Sequence, residues 1–193
     1  MIDPGARRGA QIHTALFYAA MFGGFGAYLP FWPVWLEDWG LGAGEVGLYV
    51  SLSVATRAVA GLGLPVLADR MGQRRMTLLL LSLGMAALTA AHVLIDTWAM
   101  LLTATILSGA LLSGIMPLGE SLGTGAAARY RFGYAAPRAL GSVAFLIASL
   151  AVGVLISRFG ANATLWWVVL AMLATAALGR THPGGCLLYT SPS

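Results

Sequence analysis

The run Asp69-Arg70-Met71-Gly72-Gln73-Arg74-Arg75 packs four charges into seven residues of a chain that is only 9% charged. Long apolar runs flank it on both sides, in a sequence that is 59% hydrophobic with a mean hydropathy of +0.81. A soluble domain is closer to half apolar and about a quarter charged. The charged turn therefore belongs in water and the runs beside it in lipid.

Working outward from that turn, a hydrocarbon core of ~30 Å asks for about 20 apolar residues of helix. Six segments meet the requirement: Ile12–Leu36, Val46–Ala68, Met76–Ile95, Trp98–Gly119, Ala136–Ile156 and Ala163–Leu178. The expected fold class is an all-α membrane protein, a bundle of six transmembrane helices over residues 1–180 whose short connections make neighbours antiparallel. Residues 181–193 read differently. Pro183-Gly184-Gly185 breaks the helix, and the run from Cys186 to Ser193 resembles translated adapter sequence. The expectation is a non-native or truncated tail, with the native protein continuing past Arg180.

All 11 basic residues are arginines, and their positions orient the bundle. Arg7, Arg8, Arg70, Arg74, Arg75, Arg129, Arg131 and Arg180 fall on one side, whereas the opposite loops hold Arg158 with Glu37, Asp38, Glu45 and Asp96. The positive-inside rule puts the first side, and the N-terminus, in the cytoplasm. The first helix follows Arg7 and Arg8 as a signal peptide would, but its length and Pro30 and Pro33 favour a retained span.

Several classes drop out. The pI near 9.7 does not indicate nucleic acid, because the arginines form no stripe along one face. A single cysteine, Cys186, allows neither an intrachain disulfide nor a cysteine metal cluster. No cofactor is expected. No helix carries a His-Glu pair at metal spacing, and the helix serines have no acid–base partner in sequence, so an intramembrane enzyme is not expected.

Helices 1 and 4 are the irregular ones. The first holds Gly23, Gly24, Gly26, Pro30 and Pro33, the fourth Gly109, Gly114, Pro117 and Gly119. Interrupted segments three helices apart mark the substrate path of inverted-repeat transporters. Close packing through small residues accounts for them equally well.

Arg57 lies about a dozen residues from each end of helix 2, ~18 Å along the axis. A midplane arginine costs at least ~2.5 kcal/mol to insert, so it must face a cavity or a fixed acidic partner. Glu120 and Arg138 lie near the cytoplasmic ends of helices 4 and 5 on hydropathy, where an interfacial ion pair contributes little. Phe145 and Ser142 share one helix face with Arg138. His13 and His92 read as interfacial.

The turn at Asp69 resembles the loop 2–3 signature of the major facilitator superfamily, G-x-x-x-D-R-x-G-R-R. Asp69, Arg70, Gly72, Arg74 and Arg75 keep its features, while Pro65 and Gln73 depart from it. The resemblance implies that this turn gates two halves of a transporter. Gly26-Ala27-Tyr28-Leu29-Pro30-Phe31-Trp32-Pro33-Val34-Trp35-Leu36 is similar to the first helix of the lactose permease and 3-phenylpropionic acid transporter families. Those families have twelve helices, so the chain is expected to be an N-terminal half that lacks its C-terminal six-helix partner.

The same resemblance assigns roles. Glu120 and Arg138 keep the 18-residue separation of a substrate-binding acid and arginine, Glu120 with a proton-coupling role. Phe145 matches an aromatic position against substrate. The phenylpropionate transporters carry an arginine at the place of Arg57, and lactose permease does not. Of the residues before Arg138, only Tyr134 fits the family pattern, along with Gly141 after it. Two arginines against one glutamate leave the half-site net positive, suited to a monocarboxylate, with Tyr28, Phe31 and Phe145 able to hold an aryl ring. The expectation is a proton-coupled, alternating-access symporter of the bacterial inner membrane for an aromatic or other organic acid. A sugar or nucleoside proton symporter of the same fold is the alternative.

Overall fold

The computed structural model describes residues 3–70 and 72–184, the side chains of residues 64–70 excepted. Six helices follow in order: α1 (Pro4–Trp39), α2 (Ala43–Arg70), α3 (Arg74–Ala91), α4 (Trp98–Tyr130), α5 (Ala135–Phe159) and α6 (Asn162–Arg180), with a 3₁₀ turn at His92–Leu94 after α3. All six are long and apolar enough to cross a membrane. The chain is an all-helical, multi-pass membrane protein.

Local sequence explains the helix ends. The Asp3 carboxylate accepts from the Gly5 and Ala6 amides, and Pro4 at the first helical position has no amide to leave unpaired. Gly40 closes α1 in the left-handed region, at φ 117°. The Thr97 hydroxyl caps α4 through the Met100 amide.

α1 occupies the middle of the bundle, packed on α5, α6 and α4. α2 lies on α4, and α3 on α6 and α4. Phe17, Tyr18, Met21 and Leu36 of α1 are wholly buried with Leu78, Met85, Leu118, Leu122 and Leu165 of the surrounding helices. The outward faces of α2 and α5 are apolar and exposed, as at Val59, Leu62, Leu146 and Leu150, which suits an apolar surrounding of lipid or further helices.

Two glycines show what the irregular helices do. A Cβ on Gly26 would collide with the Phe145 carbonyl of α5, and one on Gly109 would stand 2.5 Å from the Ser53 carbonyl of α2. At these points small residues let backbones touch. Pro30, Pro33 and Pro117 sit within helices that continue past them.

Helix 4 differs from expectation. It runs about three turns beyond Gly119, to Tyr130. The segment Ser121-Leu122-Gly123-Thr124-Gly125-Ala126-Ala127-Ala128 is too small and polar to score as lipid-soluble. It is nonetheless helix-compatible through its alanines, and Leu122, Gly123, Ala126 and Ala127 are buried. Glu120 is therefore deep within α4 and not at its C-terminal end.

At the turn between α2 and α3, Gly72 takes φ 63°, a conformation L side chains rarely adopt. Arg74 donates to the Ser121 hydroxyl of α4 at 2.7 Å. The Asp69 and Arg70 side chains lie outside the described residues, as do residues 185–193 of the tail. Ahead of those, His182 is fully buried against the rings of Phe17 and His13.

Candidate functional site

Glu120 is the only one of the seven acidic residues placed well inside a helix. Its carboxylate gathers three donors, from α1, from α5 and from the residue just before α5. Arg138 Nε of α5 donates to Oε1 at 2.7 Å. On Oε2, Tyr18 of α1 donates at 3.2 Å and Tyr134, just before α5, donates as well. The two phenol oxygens are themselves 3.1 Å apart. Arg138 also donates from Nη1 to Ser142 at 3.3 Å, and its guanidinium lies over the Phe22 ring at 4.2 Å. The pair is 28–29% exposed, wet enough to be reached from the bundle surface and dry enough for its charge-assisted bonds to matter.

α1 can carry Tyr18 into this network because Gly123 and Gly141 stand opposite it. A Cβ on Gly123 would strike the Tyr18 hydroxyl, and one on Gly141 would come within 2.8 Å of the Phe22 ring. Sequence reading missed Tyr18 and Phe22. Nothing in their own spacing singles them out from core aromatics, but glycines on α4 and α5 near the two charged residues were a legible sign of close approach.

Arg57 and Glu120 line one cavity. Its volume is about 290 Å³, and its other walls are Phe25, Leu29, Leu112, Ser113, Met116 and Pro117. The chamber is apolar between its two charged residues. Arg57 has no carboxylate partner among the described residues, and its buried Nε has no hydrogen bond. Glu120 is already balanced by Arg138. Among the described residues the site therefore keeps one uncompensated positive charge, on Arg57.

The remaining expected residues divide. Ser142 joins the network through Arg138. Tyr28 is buried, stacked on Trp32 at 4.9 Å, and borders a second, smaller cavity that Arg57 shares. Phe145 is half-buried against the core, its carbonyl in the α1–α5 contact and accepting from Ser149, and it does not line the larger cavity. Phe31 is half-buried against the same core, its ring over Gly153. His92, just after the end of α3, is buried in the protein: its Nδ1 donates to the Leu88 carbonyl and its ring packs edge-on against Trp32 and Trp35. His13 contacts the Leu178 carbonyl at 2.9 Å, near the C-terminal end of α6.

A family model described as the MFS_1 like family matches residues 11–182. Among curated proteins, the chain is similar to one named "Probable 3-phenylpropionic acid transporter" from Escherichia coli (strain K12), at 31% identity over 167 residues, covering 82% of this chain and 41% of that protein. It is also similar to the maltose permease of Geobacillus stearothermophilus, at 32% identity over 170 residues, covering 87% of this chain and 43% of the permease. The chain thus spans less than half the length of the curated relatives it matches.

Proposed function

The chain belongs to the major facilitator superfamily, a family of transporters and not of enzymes, and from that premise we propose that it forms the N-terminal six-helix half of a twelve-helix carrier for a small organic acid. The observation that carries the reading is the lone charge of Arg57 at one end of an apolar chamber. An unpaired cation at that depth is costly, and a monocarboxylate would neutralise it. The walls suit an aryl or alkyl body, as in 3-phenylpropionate.

Alternating access supplies the mechanism. The two halves rock about the chamber, and the turn around Gly72, Arg74 and Arg75 participates in gating. The Arg74–Ser121 bond ties that turn to the residue after Glu120. Glu120 is the proton-coupling residue of this reading. Its protonation would release one of the two charges that now cancel, freeing Arg138 and raising the positive charge offered to an anion. The arginine distribution supports a cytoplasmic N-terminus, in the inner membrane of a bacterium.

The maltose permease relative makes a sugar symporter the competing reading, and the Tyr18–Glu120–Arg138 network has hydrogen-bonding groups for hydroxyls. The unmatched Arg57 favours the acid. Uptake competition separates the two: aryl-alkanoic acids should compete for transport by the carrier that contains this chain, and maltose should not. Competition by neutral sugars alone would overturn the reading.

A further inference from the structure

The smaller cavity, about 30 Å³ of free space, opens between α1 and α2 and is lined by Tyr28, Trp32, Val50, Ser53 and Arg57 among others. It shares Arg57 and Leu29 with the larger chamber. Tyr28 Oη, Trp32 Nε1, Ser53 Oγ, Ser108 Oγ and Arg57 Nε are each buried without a hydrogen bond. Tyr28, Trp32 and Ser53 are each only 3% exposed, and Ser108 is wholly buried. The Tyr28 hydroxyl lies beside those of Ser53 and Ser108, near enough to interact with them although none of the three meets hydrogen-bond geometry, and it sits in the field of the Arg57 guanidinium.

Unbonded polar groups in a membrane interior are expensive. Helix hydroxyls have a ready remedy in the carbonyl three or four residues back, which Thr56 and Ser113 use on these same two helices. Ser53 and Ser108 do not. Indole and guanidinium nitrogens are donors only, and hydroxyls can donate. Four donors from α1 and α2 thus line a space that holds one or two waters or one carboxylate head, and the Ser108 hydroxyl of α4 stands behind that of Tyr28.

Chain direction fixes how the two cavities are ordered. Trp32 is later than Phe25 on the outward-running α1, Ser53 precedes Arg57 on the inward-running α2, and Ser108 precedes Leu112 on the inward-running α4. The small cavity is therefore on the outer side of Arg57, and the chamber leading to Glu120 on the inner side. From Leu112 to Glu120 is about 12 Å along α4, room for an aryl-alkyl body.

We propose that Trp32, Ser53 and Tyr28 form a carboxylate subsite with Arg57, with Ser108 supporting the Tyr28 hydroxyl, which seats the acid head outward and leaves the aryl body in the chamber toward Glu120. This rests on the anion reading of Arg57 and adds to it the donors that select a carboxylate over a neutral head.

The test compares 3-phenylpropionate with 3-phenylpropan-1-ol in equilibrium binding to the carrier in nanodiscs. Trp32→Phe and Ser53→Ala should each weaken the acid about ten-fold, the loss of one charge-assisted hydrogen bond, and leave the alcohol unchanged. Unaltered alcohol binding also shows that the variants fold. In the unsubstituted protein, the Trp32 indole ¹⁵N–H resonance should move downfield with the acid and stay with the alcohol. If Arg57→Leu abolishes acid binding while both donor variants and the indole resonance are indifferent, the subsite is wrong and the anion reading stands. If Arg57→Leu also leaves acid binding intact, both fall.

Discussion

Arg138 Nε stands 2.7 Å from Glu120 Oε1 while the same guanidinium covers the Phe22 ring at 4.2 Å. One side chain of α5 thereby engages α4 through charge and α1 through its aromatic face, which only a planar guanidinium can do at once. Glu120→Gln removes the charge that Arg138 is paired with and keeps the shape. Thermal unfolding in detergent should show a loss of about 1–3 kcal/mol. An unchanged midpoint would mean that solvent already screens the pair.

Gly26 and Gly23 make an internal comparison. They lie three residues apart on α1, but only Gly26 faces the α5 backbone, whereas a Cβ on Gly23 meets nothing within 4 Å. Gly26→Ala should destabilise by about 1–3 kcal/mol, the cost of overpacking, and Gly23→Ala should be neutral or slightly stabilising. Equal effects in a denaturation series would contradict the close α1–α5 approach.

His182 lies beyond the last span, buried with Phe17. Burial, then His13 and Arg75, push its pKa down from 6.5 to about 3. A depressed histidine pKa means that the unfolded form takes up a proton which the docked form refuses. The docking of residues 181–184 is thus fully stabilised above about pH 6.5 and weakens as pH falls toward about 3. The melting midpoint should drop across that window, and less so in His182→Gln. Parallel pH profiles for the two proteins would rule out the histidine.

The arginine asymmetry predicts sidedness. With Cys186 replaced by serine, Asp96→Cys should react with an impermeant maleimide in intact cells, and Gln73→Cys only after permeabilisation. The reverse pattern would invert the bundle.

Much of the architecture was legible in the residues because lipid imposes a simple rule: every backbone amide is satisfied within a helix, so apolar length reports spans directly. Each of the six expected spans corresponds to a helix of the bundle. The rule failed at α4, where Glu120 and the small residues after it end the apolar run long before the helix ends. There the helix is held by packing on α1, which hydropathy does not register. Arg57 was legible as an anomaly since charge at midplane demands an explanation. Tyr18 and Phe22 were not, because their role depends on which faces of α1, α4 and α5 meet. Trp32, Ser53 and Ser108 were hidden for a related reason: a hydroxyl or indole becomes conspicuous only once its lack of a partner is seen.

Recognition of an organic acid depends on the unmatched charge of Arg57. Its most direct test is equilibrium binding of 3-phenylpropionate and of maltose to the nanodisc-embedded carrier, with and without Arg57→Leu. The prediction is saturable binding of the acid that Arg57→Leu removes, with little affinity for maltose in either protein. Maltose binding that persists in Arg57→Leu, with no binding of the acid to the unsubstituted carrier, would contradict it.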